Sequence, residues 1–208
     1  MSGKIPEIVI LSYCKKEGEE ENDNVDTKNL AGFKVYEKFT GDKNFEPPRN
    51  IHPTFERDIN KNKYKIHFFY IIDSYWPAIS NICRNCDGAV FVIDMDNYTE
   101  ESGIEFIKEW LINLDDLDKN EMKIVIICVS AKNEENERQK KGKEDIEKLA
   151  AEKKIPQFWA NIEKEEGKKV LNEAFTKVAN LINNENDYGN TNNNDDDIEE
   201  YLDKYKNF

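Results

Sequence analysis

Residues 88–94 read Gly-Ala-Val-Phe-Val-Ile-Asp, an apolar run with no alternation of polar and apolar positions. A strand this uniformly apolar needs cover on both faces, which is the situation inside a parallel sheet flanked by helices. Two further runs share that character, Ile8-Val9-Ile10-Leu11 and Ile124-Val125-Ile126-Ile127-Cys128-Val129. Between and after them lie segments of helical period. Leu30, Phe33 and Phe39 mark a helix over 28–39, and Ile104, Ile107, Trp110, Leu111 and Leu114 one over 101–114. Ile146, Leu149 and Ala150 mark another over 140–153, and Val170, Leu171, Phe175, Val178, Leu181 and Ile182 the last, over 166–182. Strand segments at 5–11, 55–59, 64–72, 88–94, 123–129 and 155–160 complete the order, with a polar turn at Asn60–Lys63 and a short helix from Asp73 or Ser74 that takes Pro77 in its first turn. The expected fold is α/β: a six-stranded, mostly parallel sheet with one antiparallel edge strand and helices on both faces.

Charge narrows the partners. The chain of 208 residues carries a formal net charge of −13. Residues 184–208 hold eight acids and two lysines, which leaves −7 for residues 1–183. Nucleic-acid binding draws on Lys and Arg to replace counterions, so this balance argues against it, and against docking on anionic membrane. No segment approaches the ~20 apolar residues of a spanning helix. Ser2 excludes N-myristoylation, and the closing Lys204-Tyr205-Lys206-Asn207-Phe208 offers no cysteine for prenylation, so no direct membrane anchor is expected. The chain divides into a domain at 1–183 and an acidic Asn/Asp-rich tail at 184–208. In that tail Ile198, Tyr201, Leu202, Tyr205 and Phe208 would share one face of a short helix at 197–208.

Four cysteines fit a reducing compartment. Cys83 and Cys86 form a C-x-x-C, but neither a second pair nor a histidine couple stands at zinc spacing, and His52 and His67 are scattered. They read as buried thiols near a helix end, with no metal expected. Asp94 and Asp96 read as loop caps after strand four rather than a metal pair.

A nucleotide-binding sheet of this order would carry G-x-x-x-x-G-K-[ST] after strand one, the loop that wraps phosphates in backbone amides. Here the sequence is Ser12-Tyr13-Cys14-Lys15-Lys16-Glu17-Gly18-Glu19-Glu20-Glu21, whose glutamates would repel a triphosphate. Asp87-Gly88-Ala89-Val90-Phe91-Val92-Ile93-Asp94 nevertheless resembles the strand-four signature of Ras and Rab proteins. Trp110-Leu111 sits where Rab proteins carry Trp-Leu, and His52-Pro53-Thr54 resembles the Pro-Thr of switch I. The resemblance spans about residues 5–183 and implies a Ras-like, P-loop-NTPase-type fold.

The motifs of the enzyme are lost or weakened. Where the family has D-x-x-G, this chain has Asp73-Ser74-Tyr75-Trp76. Where it has N-K-x-D, the sequence is Ala131-Lys132-Asn133-Glu134, and the usual S-A-K loop is Asn161-Ile162-Glu163. Thr54, Lys132 and Glu134 are thus vestigial positions, and no catalysis, bound nucleotide or other cofactor is expected.

Tyr75-Trp76-Pro77-Ala78-Ile79, Asp87-Gly88-Ala89-Val90 and Ala160-Asn161-Ile162-Glu163 resemble the Rab-like subunit of the intraflagellar-transport B complex, the Rab-like protein five family. That resemblance implies a non-catalytic, cytoplasmic and ciliary subunit riding on helical or coiled-coil partners. The alternatives are an atypical, weakly GTP-binding switch and a static axonemal or cytoskeletal component. Aromatic residues anchor interfaces, so Phe69, Tyr75 and Trp76 on the switch II side, with Ile198, Tyr201, Leu202 and Tyr205 in the tail, are the partner-binding candidates.

Overall fold

The computed structural model describes residues 5–13, 31–41, 54–71, 76–115, 122–132 and 136–188. Six strands form one sheet in the order β2-β3-β1-β4-β5-β6. They are β1 Glu7–Tyr13, β2 Thr54–Ile59, β3 Asn62–Ile71, β4 Gly88–Asp94, β5 Lys123–Ser130 and β6 Gln157–Asn161. Every neighbouring pair is parallel except β2 with β3, which is antiparallel. The helices are α1 Ala31–Thr40, α2 Trp76–Cys83, α3 Phe106–Asp115, α4 Glu137–Lys153 and α5 Glu165–Tyr188. The expected α/β sheet is present, and no helix among the described residues is long and apolar enough to cross a membrane.

Alternation along the strands sorts side chains into two cores. Ala89, Phe91 and Ile93 of β4 join Val9, Leu11 and Phe69 under α2, α3 and α4. Val90 and Val92 join Ile8, Ile10, Ile66 and Phe68 under α1 and α5. This is why residues 88–93 are apolar at every position and the first polar side chain, Asp94, comes at the strand's end: the strand has no wet face. On the α1/α5 side, Phe39 stacks on Phe175 with centroids 3.8 Å apart, and the Arg57 guanidinium lies 4.4 Å over the Phe39 ring.

Element ends differ from expectation where local chemistry decides them. The β2–β3 connection is a two-residue turn at Asn60 and Lys61, both with positive φ (51° and 67°), so Asn62 and Lys63 belong to β3 rather than to a four-residue turn. Helix α4 begins three residues before the expected start because Asn136 caps it: its side chain accepts from the Gln139 amide, and Gln139 answers to the Asn136 amide. Helix α5 continues past 182 to Tyr188. Ahead of α3, residues Glu101–Glu105 wind as a wider π-helical turn. Gly103 there and Gly142 of α4 both close on Tyr98, where any Cβ would fall within 2.6 Å of the ring. Burial, with Asp145 adding to it, pushes the Tyr98 phenol up to about 12.

Candidate functional site

In open α/β sheets ligands bind beyond the carboxyl ends of the strands, beside the point where the strand order reverses. The chain leaves β1 on one side toward β3 and on the other toward β4, so that point lies at β1. At its end Ser12 is buried, and Gly32 of α1 approaches so closely that a Cβ would meet Ser12 Cβ at 2.5 Å. Tyr13 turns its ring edge-on to Phe106 (5.6 Å) and its hydroxyl donates to Glu101 Oε1 at 3.1 Å. The last residues of β1 are therefore packed against α1 and α3.

The ends of β4, β5 and β6 are joined by a polar network centred on Asp96. Its carboxylate accepts from Ser130 Oγ (2.6 Å), the Ala131 amide (2.6 Å) and Gln139 Nε2 (3.2 Å). Ser130 Oγ in turn accepts from the Lys132 amide, and the Lys132 carbonyl accepts from Asn161 Nδ2 at 3.2 Å. Asn161 Oδ1 accepts from the Glu163 amide. Gln139, 3% exposed, thus serves two partners at once, capping α4 and holding Asp96. Asp94 is a loop cap as expected, taking the Asp96 and Asn97 amides on Oδ1 and the Asn97 side chain on Oδ2.

Beside this network opens a cleft of about 200 Å³, lined chiefly by Met95, Cys128, Trp159, Gln139, Lys132 and Lys164. Small-molecule sites commonly occupy about 300–1,000 Å³, so the described cleft is undersized for a nucleotide. Its lining has no histidine or carboxylate. Burial pushes the Cys128 thiol far up, with Glu147 adding to it, so that sulfur is no nucleophile. Lys143 lies 5.3 Å from the Trp159 ring centroid at the same end. The cleft is large enough for a small group.

The positions expected to be vestigial, Thr54, Lys132 and Glu134, part company. Lys132 and Asn161 come together, through the Lys132 carbonyl, while the Lys132 side chain is exposed. Glu134 lies outside the described residues. Thr54 opens β2 away from that cluster, its hydroxyl 3.1 Å from His67 Nδ1. Phe69 is corrected as a partner anchor: it is 0% exposed, because β3 is an interior strand and Phe69 fills the core beneath α2 while Phe68 fills the opposite one. Trp76 is the first residue of α2. Tyr75, Ile198, Tyr201, Leu202 and Tyr205 fall outside the described residues.

One grouping was invisible from sequence spacing. Cys83 and Cys86 are buried thiols at and just after the end of α2, as read, but His67 is not remote from them. Glu7, His67 and Cys86 each bring a ligand-type atom within 4.8 Å of the others. No protein-family model matches the chain, and no curated protein matches it.

Proposed function

We propose that this chain is a non-catalytic, small-GTPase-like interaction subunit of a ciliary or flagellar assembly, with the intraflagellar transport train the favoured setting. The observation that carries the non-catalytic part is the Asp96 network. In a guanine-binding protein of this layout the loop after β5 offers its side chains to the base. Here the loops after β4, β5 and β6 spend their hydrogen bonds on one another. The sheet order, with its single antiparallel pair at the β2 edge, is compatible with a Ras-like layout.

The remaining support is the sequence: a glutamate-rich loop in place of the phosphate cradle, and the Tyr75-Trp76-Pro77-Ala78 and Asp87-Gly88-Ala89-Val90 segments that resemble the Rab-like transport subunit. Such a protein acts through its surface, fixed in one state, on a helical or coiled-coil partner. Trp76 and residues 198–205 are the positions to vary in testing it.

Two experiments test the two halves of the proposal. Denaturing the purified protein and resolving the supernatant by anion exchange tests for bound nucleotide; stoichiometric GDP or GTP would sink the non-catalytic reading. Imaging a tagged copy in living cilia tests the setting. Processive tracks support a transport train, and immobile staining along the axoneme replaces it with a static role.

A further inference from the structure

The amino end of the sheet carries a cluster that the proposed function does not use. Glu7 begins β1, His67 lies in β3 and Cys86 in the turn between α2 and β4, and the pairing of β1 with both β3 and β4 draws all three together. All are on the α2 side of the sheet, with Cys86 fully buried and His67 7% exposed. Glu7, 17% exposed at its side chain, forms the rim toward solvent.

We infer that Glu7, His67 and Cys86 form a site for a borderline divalent cation of the zinc class, with a water completing four ligands. A thiolate, an imidazole and a carboxylate are the donor set that zinc takes, and three protein ligands with one open position is a recurrent zinc arrangement. Zinc at about 2.3 Å from sulfur and about 2.0 Å from nitrogen and oxygen sets tetrahedral ligand atoms about 3.5 Å apart. The three atoms here lie within 4.8 Å of one another, so small side-chain rotations close the set.

The surroundings fix the ligands as an outer shell does. Thr54 Oγ1 lies 3.1 Å from His67 Nδ1, which leaves Nε2 as the ligating atom, and Nε2 already faces Glu7 Oε2 at 2.8 Å. Lys65 Nζ stands 3.6 Å from the other oxygen, Glu7 Oε1. The turn bearing Cys86 is clamped to β1 on both sides: the Glu7 amide donates to Asp87 Oδ2 (2.8 Å), and the Asp87 amide to the Glu7 carbonyl (2.7 Å). The proton balance is simple. The ion replaces the Cys86 thiol proton, which goes to solvent, and the Nε2 proton that His67 gives to Glu7, which moves to Nδ1 or, where Nδ1 already carries one, goes to solvent; the ring then keeps one proton, on Nδ1, donated to Thr54. Binding therefore weakens as pH falls.

The test uses the full chain, stripped with a chelator and dialysed, then titrated with Zn²⁺ and separately with Co²⁺. The expected result is one ion per chain, and a tetrahedral Co²⁺ spectrum with a thiolate charge-transfer band. Cys86→Ser and His67→Ala should abolish stoichiometric binding, Thr54→Val should weaken it about tenfold, and Cys83→Ala should leave it unchanged. X-ray absorption on the zinc-loaded wild type, which needs no variant to fold, should show one sulfur and three nitrogen or oxygen neighbours. No zinc bound at micromolar concentration, two sulfurs, or none would each overturn the inference.

Discussion

At the carboxyl end of the sheet Asp96 meets three donors, from Ser130, Ala131 and Gln139, whereas at the amino end Glu7, His67 and Cys86 meet one another. The first arrangement satisfies a carboxylate internally and joins three loops into one body. The second gathers an acid, an imidazole and a thiol with ordinary affinities for a cation. Among the described residues, the loops after β4, β5 and β6 are thus bonded to one another, and the amino end gathers the set proposed to hold a cation. The strands and helices are held chiefly by the two apolar cores, and the Asp96 network adds a lock across the loops above them.

If the carboxyl end is a structural lock, breaking it must cost stability. Asp96→Ala leaves the Ala131 amide, Ser130 and Gln139 without their acceptor and should destabilise by about 3 kcal/mol. A urea series should show a lower midpoint at constant slope. Gln139→Ala keeps the Asn136 cap but removes the acceptor of the Asn136 amide, the return half of the capping box, together with one of these donors, for about 2 kcal/mol by the same measurement. Glu7→Gln should cost about 1 kcal/mol in metal-free protein, through its bond to His67, and should also remove the rise in melting temperature that saturating zinc gives the wild type. Lys132→Ala should change stability by less than about 0.5 kcal/mol, since only the backbone of Lys132 enters the network. A large loss there would mean that its exposed ammonium does more than the Asp96 account allows.

The frame was legible because burial writes itself into composition. The uninterrupted 88–93 run requires two covered faces, whereas apolar period alone put the start of α4 at 140 and missed the Asn136…Gln139 capping pair that sets it at 137. Phe69 shows the limit of such reasoning: adjacent Phe68 and Phe69 point to opposite faces, and only the position of β3 inside the sheet makes both faces core. The two polar clusters were illegible for a different reason. Asp96 meets partners 34, 35 and 43 residues away, and Glu7 meets His67 across 60. No local pattern encodes such contacts; parallel pairing creates them. The lack of a phosphate-cradling sequence after β1 was legible, whereas the Asp96 network at the ends of β4, β5 and β6 was not.

The central claim is that the carboxyl end is closed on itself and takes no guanine nucleotide. The most direct test is the nucleotide content of protein purified without added nucleotide, released by denaturation and quantified per chain, alongside titration of the native protein with a fluorescent GDP analogue in Mg²⁺. The account predicts no stoichiometric guanine nucleotide in the supernatant and no saturable binding. One GDP or GTP per chain, or saturable binding displaced by unlabelled GDP, would contradict it.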